Sequence, residues 1–382
     1  MKIGIVTYAK CDNYGAELQA YALQWKLNQM GYDAELIDLE KKEKDLASNK
    51  ASIIPAIRNR FKVYGWKAPW EIMKLCFDVL QRKISAKENE TNQEEKHKLF
   101  IEFFEKNIRH SAKHYTLEEI RTTKDLDYDV YIAGSDQIWN TDCPNGHTPG
   151  YYLDFGTAKK ISYAASFAVS KVADEWKPFV KQQLSHFDHI SVREKTGLKI
   201  LEDLGIKGGE LVVDPVFLLT ESEWSKLAGG AKNYGLEDGK YILIYDFLND
   251  DRIAAFAHKL SKELGLPTIG LNDYNVLPYV DRNIKDAGPL EFLSLIKHAA
   301  VVVSSSFHAT VFSLIFQKSF YVFPLKNTDN SSRMIDLLQP LNISSRFMPT
   351  DVLPDIEYGD ISKKLEVNTN SSKEILIDFI NK

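Results

Sequence analysis

A chain of 382 residues is longer than one ordinary hydrophobic core supports, so two lobes are expected. Hydrophobic residues at 44% and charged residues at 26% describe a folded globular protein and exclude a mainly disordered one. Lys and Arg number 48 against 53 Asp and Glu, a formal charge of −5 with no basic stripe, which argues against a nucleic-acid partner.

The opening residues Met1 to Val6 are too short an apolar run for a secretory h-region, and no stretch approaches the ~18 to 20 apolar residues of a membrane span. Cys11, Cys76 and Cys143 are odd in number and widely spaced, a pattern of neither a disulfide framework nor a zinc site. These features together predict a cytoplasmic protein, at most peripheral to the inner face of a membrane.

In chain order, residues 3 to 7 predict a buried strand, and Leu18, Ala22, Leu23 and Leu27 give helical spacing over residues 16 to 30 before Gly31. Residues 34 to 39 predict the next strand. Strand, helix, strand is a βαβ unit, which implies a parallel sheet covered by helices. The loop Cys11 to Ala16 falls at the carboxyl end of the first strand, where ligands of such sheets bind, and it makes Asn13, Tyr14 and Gly15 candidate contacts. Residues 40 to 112 then interrupt the pattern as a helical insertion. Strands at 130–133, 161–165, 189–192 and 211–213, with helices at 176–184 and 195–204, complete a first lobe over residues 1–235.

Glycines at 229, 230, 235 and 239 break the pattern before it restarts at Tyr241. The second lobe, residues 236–340, is predicted to hold strands at 241–246, 267–270, 301–303 and 320–323. Its helices are placed at 251–264, 289–298 and 309–316, with Pro289 suited to a first helical turn. Residues 341–382 form a tail whose helix, at 373–380, is expected to pack back on the lobes.

Three strand ends carry chemistry. Tyr131-Ile-Ala-Gly-Ser135-Asp136 puts small and polar groups at the sheet edge, either facing a ligand or capping a turn. Ile190-Ser-Val-Arg193-Glu194 places an arginine just before a helix, free to fork onto a carboxylate or phosphate, or else paired with Glu194 or Asp214. Val301 to His308 runs a strand into Ser304-Ser305-Ser306 and a histidine opening a helix, so hydroxyls, helix N–H groups and an imidazole gather in one loop.

Taken in order, several segments resemble the polysaccharide pyruvyl transferases: Asn13 to Ala16 with Gln19 to Leu23, Gly134 to Trp139, Ile161 to Ser166, Ser191 to Glu194, Val213-Asp214-Pro215 and Ser306-Phe307-His308. The resemblance runs over about residues 1–40 and 127–340. It implies a GT-B-like α/β fold, two Rossmann-like doubly wound lobes facing across a cleft, with the helical insertion in the first. It also implies transfer of a pyruvyl group from phosphoenolpyruvate to sugar hydroxyls as a ketal, in cell-surface or exopolysaccharide biosynthesis. Phosphoenolpyruvate is then a donor substrate and not a cofactor, and the acceptor is a sugar or lipid-linked oligosaccharide.

Carried onto this sequence, the resemblance makes Arg193 the arginine that grips the donor, His308 the histidine near the donor phosphate and reacting carbon, and Lys326 a further basic contact. An imidazole, titrating near the working pH, is then the choice for the general acid that the transfer needs. Asp136 is assigned the hydroxyl proton, and Ser135 lines the cleft. Where the family often has Arg-x-His, this chain has Ser306, and Arg333 is the candidate replacement cation unless it is a solvated surface charge. No metal is expected. Arg193 and His308 are expected to face each other across the lobes. Two other readings remain open: a glycosyltransferase using a nucleotide-sugar donor on the same plan, and a non-catalytic sugar-binding homologue, which Ser306 motivates.

Residues 51–84 are unusually basic, with Arg58, Arg60, Lys62, Lys67, Lys74, Arg82 and Lys83 against Glu71 and Asp78, and they are rich in large apolar groups such as Trp66, Trp70 and Phe77. That mixture is first of all what helices packed on the first lobe with their cations solvated would show, and it also suits docking to an anionic membrane surface.

Overall fold

The computed structural model describes residues 1–40, 92–271, 276–325 and 331–382. Lys326 and the basic segment 51–84 lie outside them. In the first lobe, strands β1 (Lys2–Val6), β2 (Asp33–Leu36), β3 (Val130–Ala133) and β4 (Lys159–Ser162) form a parallel sheet of order β2-β1-β3-β4. Ile3 lies opposite Ala34 on one side and Val130 on the other. Bridges from Ile161 to His189 and from Ala165 to Val192 extend the sheet to β5 (Ser191–Val192), which pairs in parallel with β6 (Glu210–Leu211).

The second lobe repeats the plan with β7 (Ile242–Tyr245), β8 (Thr268–Leu271), β9 (Arg282–Ile284), β10 (Val301–Ser304) and β11 (Ser319–Val322), all parallel in the order β11-β10-β7-β8-β9. Its central strands Ile242–Tyr245 and Val301–Ser304 are buried along their whole length, as parallel strands covered on both faces must be. In each lobe the first strand has its sequence successor on one side and a later strand on the other. That topology opens a crevice at the carboxyl ends of β1 and β3, and of β7 and β10.

Helix α1 (Tyr14–Gln29) starts at Asn13, whose Oδ1 accepts from the Ala16 amide at 3.1 Å. It is buried nearly all round because it covers the first sheet and also faces the second lobe. The insertion returns as helix α2, residues 92–107, whose Phe100, Phe103 and Phe104 join the same core. Trp224 stands on helix α3 (Glu221–Ala228), which sequence periodicity does not mark because only Trp224 and Ala228 of it are buried. Its ring lies 5.8 Å from Tyr21 of α1 and 5.0 Å from Phe312 of the second lobe. The lobes therefore share one continuous apolar core behind the crevices.

The tail helix, α4 (Tyr358–Asn381), is three turns or more longer than the predicted segment 373–380. It does pack back on the first lobe. Ser372 Oγ accepts from the Val213 amide at 3.0 Å, Phe379 stacks on His189 at 4.6 Å, and Lys159 Nζ donates to the last-turn carbonyls of Phe379 and Ile380. A lysine there satisfies orphan carbonyls at the negative end of the helix. Among the described residues no helix is long and apolar enough to cross a membrane.

Candidate active site

Strand ends of both lobes meet at one buried cluster. From the first lobe come Asp136 after β3, Arg193 and Glu194 after β5, and Asp214 after β6. From the second come Phe307 and His308, which open helix α5 (Phe307–Ile315) after β10, and Arg333 on helix α6 (Ser331–Leu338).

Arg193 is the centre, with a side chain only 1% exposed. Its Nη1 donates to Asp214 Oδ2 at 2.6 Å and its Nη2 to Asp136 Oδ1 at 3.0 Å. Burial works against its charge, but Asp214, Asp136 and Glu194 more than offset that and hold the guanidinium above its ordinary value. Asp136 reaches this position with φ of +64°, in the left-handed region that Asp tolerates better than most residues.

Asp214 ties the lobes together. Its Oδ1 accepts from the Val216 amide at 3.1 Å, while Oδ2 takes Arg193 and lies 3.6 Å from His308 Nε2. Burial pushes this carboxyl up, yet His308 and Arg193 pull it well below the carboxylate range. His308 Nε2 is shielded and makes no hydrogen bond. The other edge of the ring lies against Gly15 at the start of α1, where an added Cβ would stand 1.9 Å from Nδ1. Glycine is required there by the close approach of the two helix starts, not by backbone strain.

Glu194 is fixed through one oxygen. Its Oε1 accepts from Ser166 Oγ at 2.8 Å and from the Phe167 and Ala168 amides, whereas Oε2 has no hydrogen-bond partner and lies 3.7 Å from Arg193 Nε. Burial raises its pKa above the usual range despite Arg193 and Ser166.

Arg333, 7% exposed, is held differently. Its guanidinium carbon stands 5.5 Å over the ring of Phe307, which also receives Arg193 at 4.7 Å. Burial and the neighbouring Arg193 lower its pKa to about 10, so it remains a cation at neutral pH. A cavity of about 270 Å³ opens beside it, bounded by Arg193, Glu194, Asp214, Phe307, Arg333 and, from α4, Leu365.

The structure thus brings Arg193, Asp136, His308, Gly15 and Arg333 together and gives the remaining candidates local roles. Asn13 caps α1. Tyr14 is an interlobe contact, its hydroxyl donating to the Ala287 carbonyl at 2.9 Å and its ring stacked on Phe292. Ser135 is fully buried, its Oγ donating to the Ala164 carbonyl. Ser306 caps α5 by accepting from the Ala309 amide at 3.3 Å. Asp214 and Glu194 enter the site as more than ion partners for Arg193, and the sequence signal for Asp214 is its place between a strand end and Pro215. No group of three or more His, Cys, Asp or Glu suited to a metal ion occurs among the described residues.

A sequence model described as polysaccharide pyruvyl transferase matches residues 13–327. A search of curated proteins finds no match. Among solved structures, the UDP-GlcNAc 2-epimerase of Methanocaldococcus jannaschii superposes with a TM-score of 0.51 at 12% identity, over 97% of this chain and 93% of that one. The UDP-GlcNAc 2-epimerase of Neisseria meningitidis, bound to UDP-GlcNAc, gives 0.50 at 10% identity, over 100% and 99%. At these identities the likeness speaks for the GT-B-like two-lobed fold alone.

Proposed function

The chain belongs to the polysaccharide pyruvyl transferase family, and from that premise we propose that it moves the pyruvyl group of phosphoenolpyruvate onto two hydroxyls of a sugar as a ketal. The acceptor is a sugar or lipid-linked oligosaccharide of a cell-surface polysaccharide. The observation that carries this reading is Asp214 joining Arg193 of the first lobe to His308 of the second, a link that sets a proton-transfer group beside a dense set of charges.

In this reading His308 gives a proton to the methylene of the donor, leaving cationic character on the carbon that bears phosphate. Asp214, 3.6 Å from Nε2, favours the imidazolium before transfer. A sugar oxygen then bonds to that carbon while its proton passes to a carboxylate, for which Asp136 is assigned. As the second hydroxyl closes the ketal, its proton returns to His308, the carbon–oxygen bond to phosphate breaks and phosphate leaves with the electron pair. Positive groups at the cleft, Arg193 and Arg333, supply the field in which these anions react. Lys326 is retained as a further basic contact.

The test combines chemistry and binding. Incubation with phosphoenolpyruvate and a panel of methyl hexosides should release inorganic phosphate and yield a new ketal methyl signal by NMR. Phosphoenolpyruvate should also raise the melting temperature more than UDP or GDP. Stabilisation by the nucleotides alone, without phosphate release, would refute the proposal in favour of a nucleotide-sugar donor.

A further inference from the structure

Two guanidinium groups lie against Phe307, and they differ in what they hold. Both Nη groups of Arg193 donate to carboxylates, and its Nε, which makes no hydrogen bond, lies 3.7 Å from Glu194 Oε2, so its charge is already offset by acidic groups. Arg333 makes no hydrogen bond or ion pair with any described residue, and its Nε is shielded from solvent with no partner. An unpaired charge in a buried setting is strongly unfavourable unless something neutralises it. The cavity beside it, whose lining also includes Lys195, Glu194, Asp214 and Asp336, gives a partner a way in.

We infer that this cavity is an anion-binding site, in which the Arg333 guanidinium receives the carboxylate or phosphate of a compact ligand lying between the Phe307 ring and the apolar side chains of Leu337, Leu341 and Leu365. At about 270 Å³ it falls at the small end of ligand pockets, which favours an anion of few atoms over a nucleotide. Apolar lining comes from Val213, Leu337, Leu341 and Leu365, while Asn368 and Ser371 of α4 add polar groups, so the ligand's uncharged part meets apolar surface while its charge meets Arg333. Arg193 acts differently, by positioning Asp136 and Asp214. The proposal rests on the pyruvyl-transfer reading only in offering phosphoenolpyruvate as one of the probes.

The experiment titrates the full chain with phosphoenolpyruvate, pyruvate, inorganic phosphate and UDP by calorimetry, with thermal melts of each variant in parallel. At least one of the three compact anions should bind, and which of them does tells carboxylate from phosphate recognition. Arg333→Met should weaken that binding by roughly 30-fold or more, the scale of losing one partner of a desolvated charge pair. Its ligand-free melting temperature should match or exceed that of the parent, since a buried charge without a partner among the described residues has been removed. Arg333→Lys, which keeps the charge, should bind more tightly than Arg333→Met and covers the case in which the latter fails to fold.

A parent protein that binds none of the compact anions, or an Arg333→Met variant that binds them equally well, overturns the inference. So does a crystal soaked in the tightest probe that shows its anionic oxygens away from Arg333. The two readings fail separately. Arg333-dependent binding of phosphate or pyruvate without any transfer from phosphoenolpyruvate keeps the site and removes the activity. Transfer that survives with undiminished binding in Arg333→Met keeps the activity and removes the site.

Discussion

The first lobe brings to the junction an arginine enclosed by carboxylates, and the second brings one facing a cavity, yet both are buried and both touch the same phenyl ring. Burial alone therefore does not tell a structural cation from one that seeks a ligand. The count of partners does. Arg193 joins β3, β5 and β6 through Asp136 and Asp214, so it is part of what makes the first lobe's edge one unit. Arg333 joins none of the described residues by a hydrogen bond, and its charge is a standing instability that a bound anion would relieve.

Substitutions can sharpen or break this contrast. The largest effect is expected from Arg193→Met, which strands Asp136 and Asp214 as buried unpaired charges and should lower unfolding free energy by about 3 to 5 kcal/mol in urea titrations. A loss of donor affinity with stability intact would instead return Arg193 to the donor-gripping role first read from sequence. His308→Ala should leave the fold in place and lower turnover by roughly 10²- to 10⁴-fold, with donor binding kept. Unaltered turnover removes the imidazole from the chemistry.

Gly15→Ala is expected to act across the lobes. Its methyl group meets the imidazole at 1.9 Å, so either helix start must shift, at a cost of roughly 1 to 3 kcal/mol typical of overpacking. Activity should fall with it, and recovery of stability by a second change that shortens the side chain at 308 would identify the clash as the cause of the instability. Ser306→Ala removes a helix cap and should destabilise by about 1 kcal/mol without affecting anion binding. A selective loss of binding there would give Ser306 a ligand contact.

The gentlest test is pH. Asp214 has its folded pKa lowered, so its stabilisation is present above the unfolded carboxylate value and is lost as pH falls through the folded one. Glu194 is raised, so its contribution is intact below the unfolded value and is lost as pH rises through the folded one. Asp214→Asn should flatten the acid side of a stability profile, and Glu194→Gln the side above it. The same slope change from both variants would contradict the opposed environments.

The two-lobed plan was legible because buried parallel strands are continuous apolar runs, such as Val130–Ala133 and Val301–Ser304, and because Gly31 and Pro289 mark helix ends. Arg193 and His308 stood out for the same local reason, lying just past strand ends. Their surroundings did not. Asp136 and Asp214 reach Arg193 from 57 and 21 positions away, and Gly15 lies under an imidazole of the other lobe, juxtapositions set by sheet order and lobe packing. The tail shows the opposite failure. Asn368, Thr369, Asn370, Ser371 and Ser372 are poor helix formers, which hid the middle of α4, but burial of Thr369 and Ser372 against the first lobe overrides that preference.

That helix also has a mechanical consequence. It starts on the second lobe, where the Tyr358 hydroxyl donates to the Lys318 carbonyl at 2.6 Å, and ends on the first at Lys159 and His189. With 24 residues it is a rod of about 36 Å, stiff along its axis and anchored at both ends. A rod so mounted works as a strut, and a displacement of one lobe against the other must carry the helix with it or break one anchorage. The cavity beside Arg333, lined in part by Leu365 of the same helix, thus depends on both anchorages for its shape.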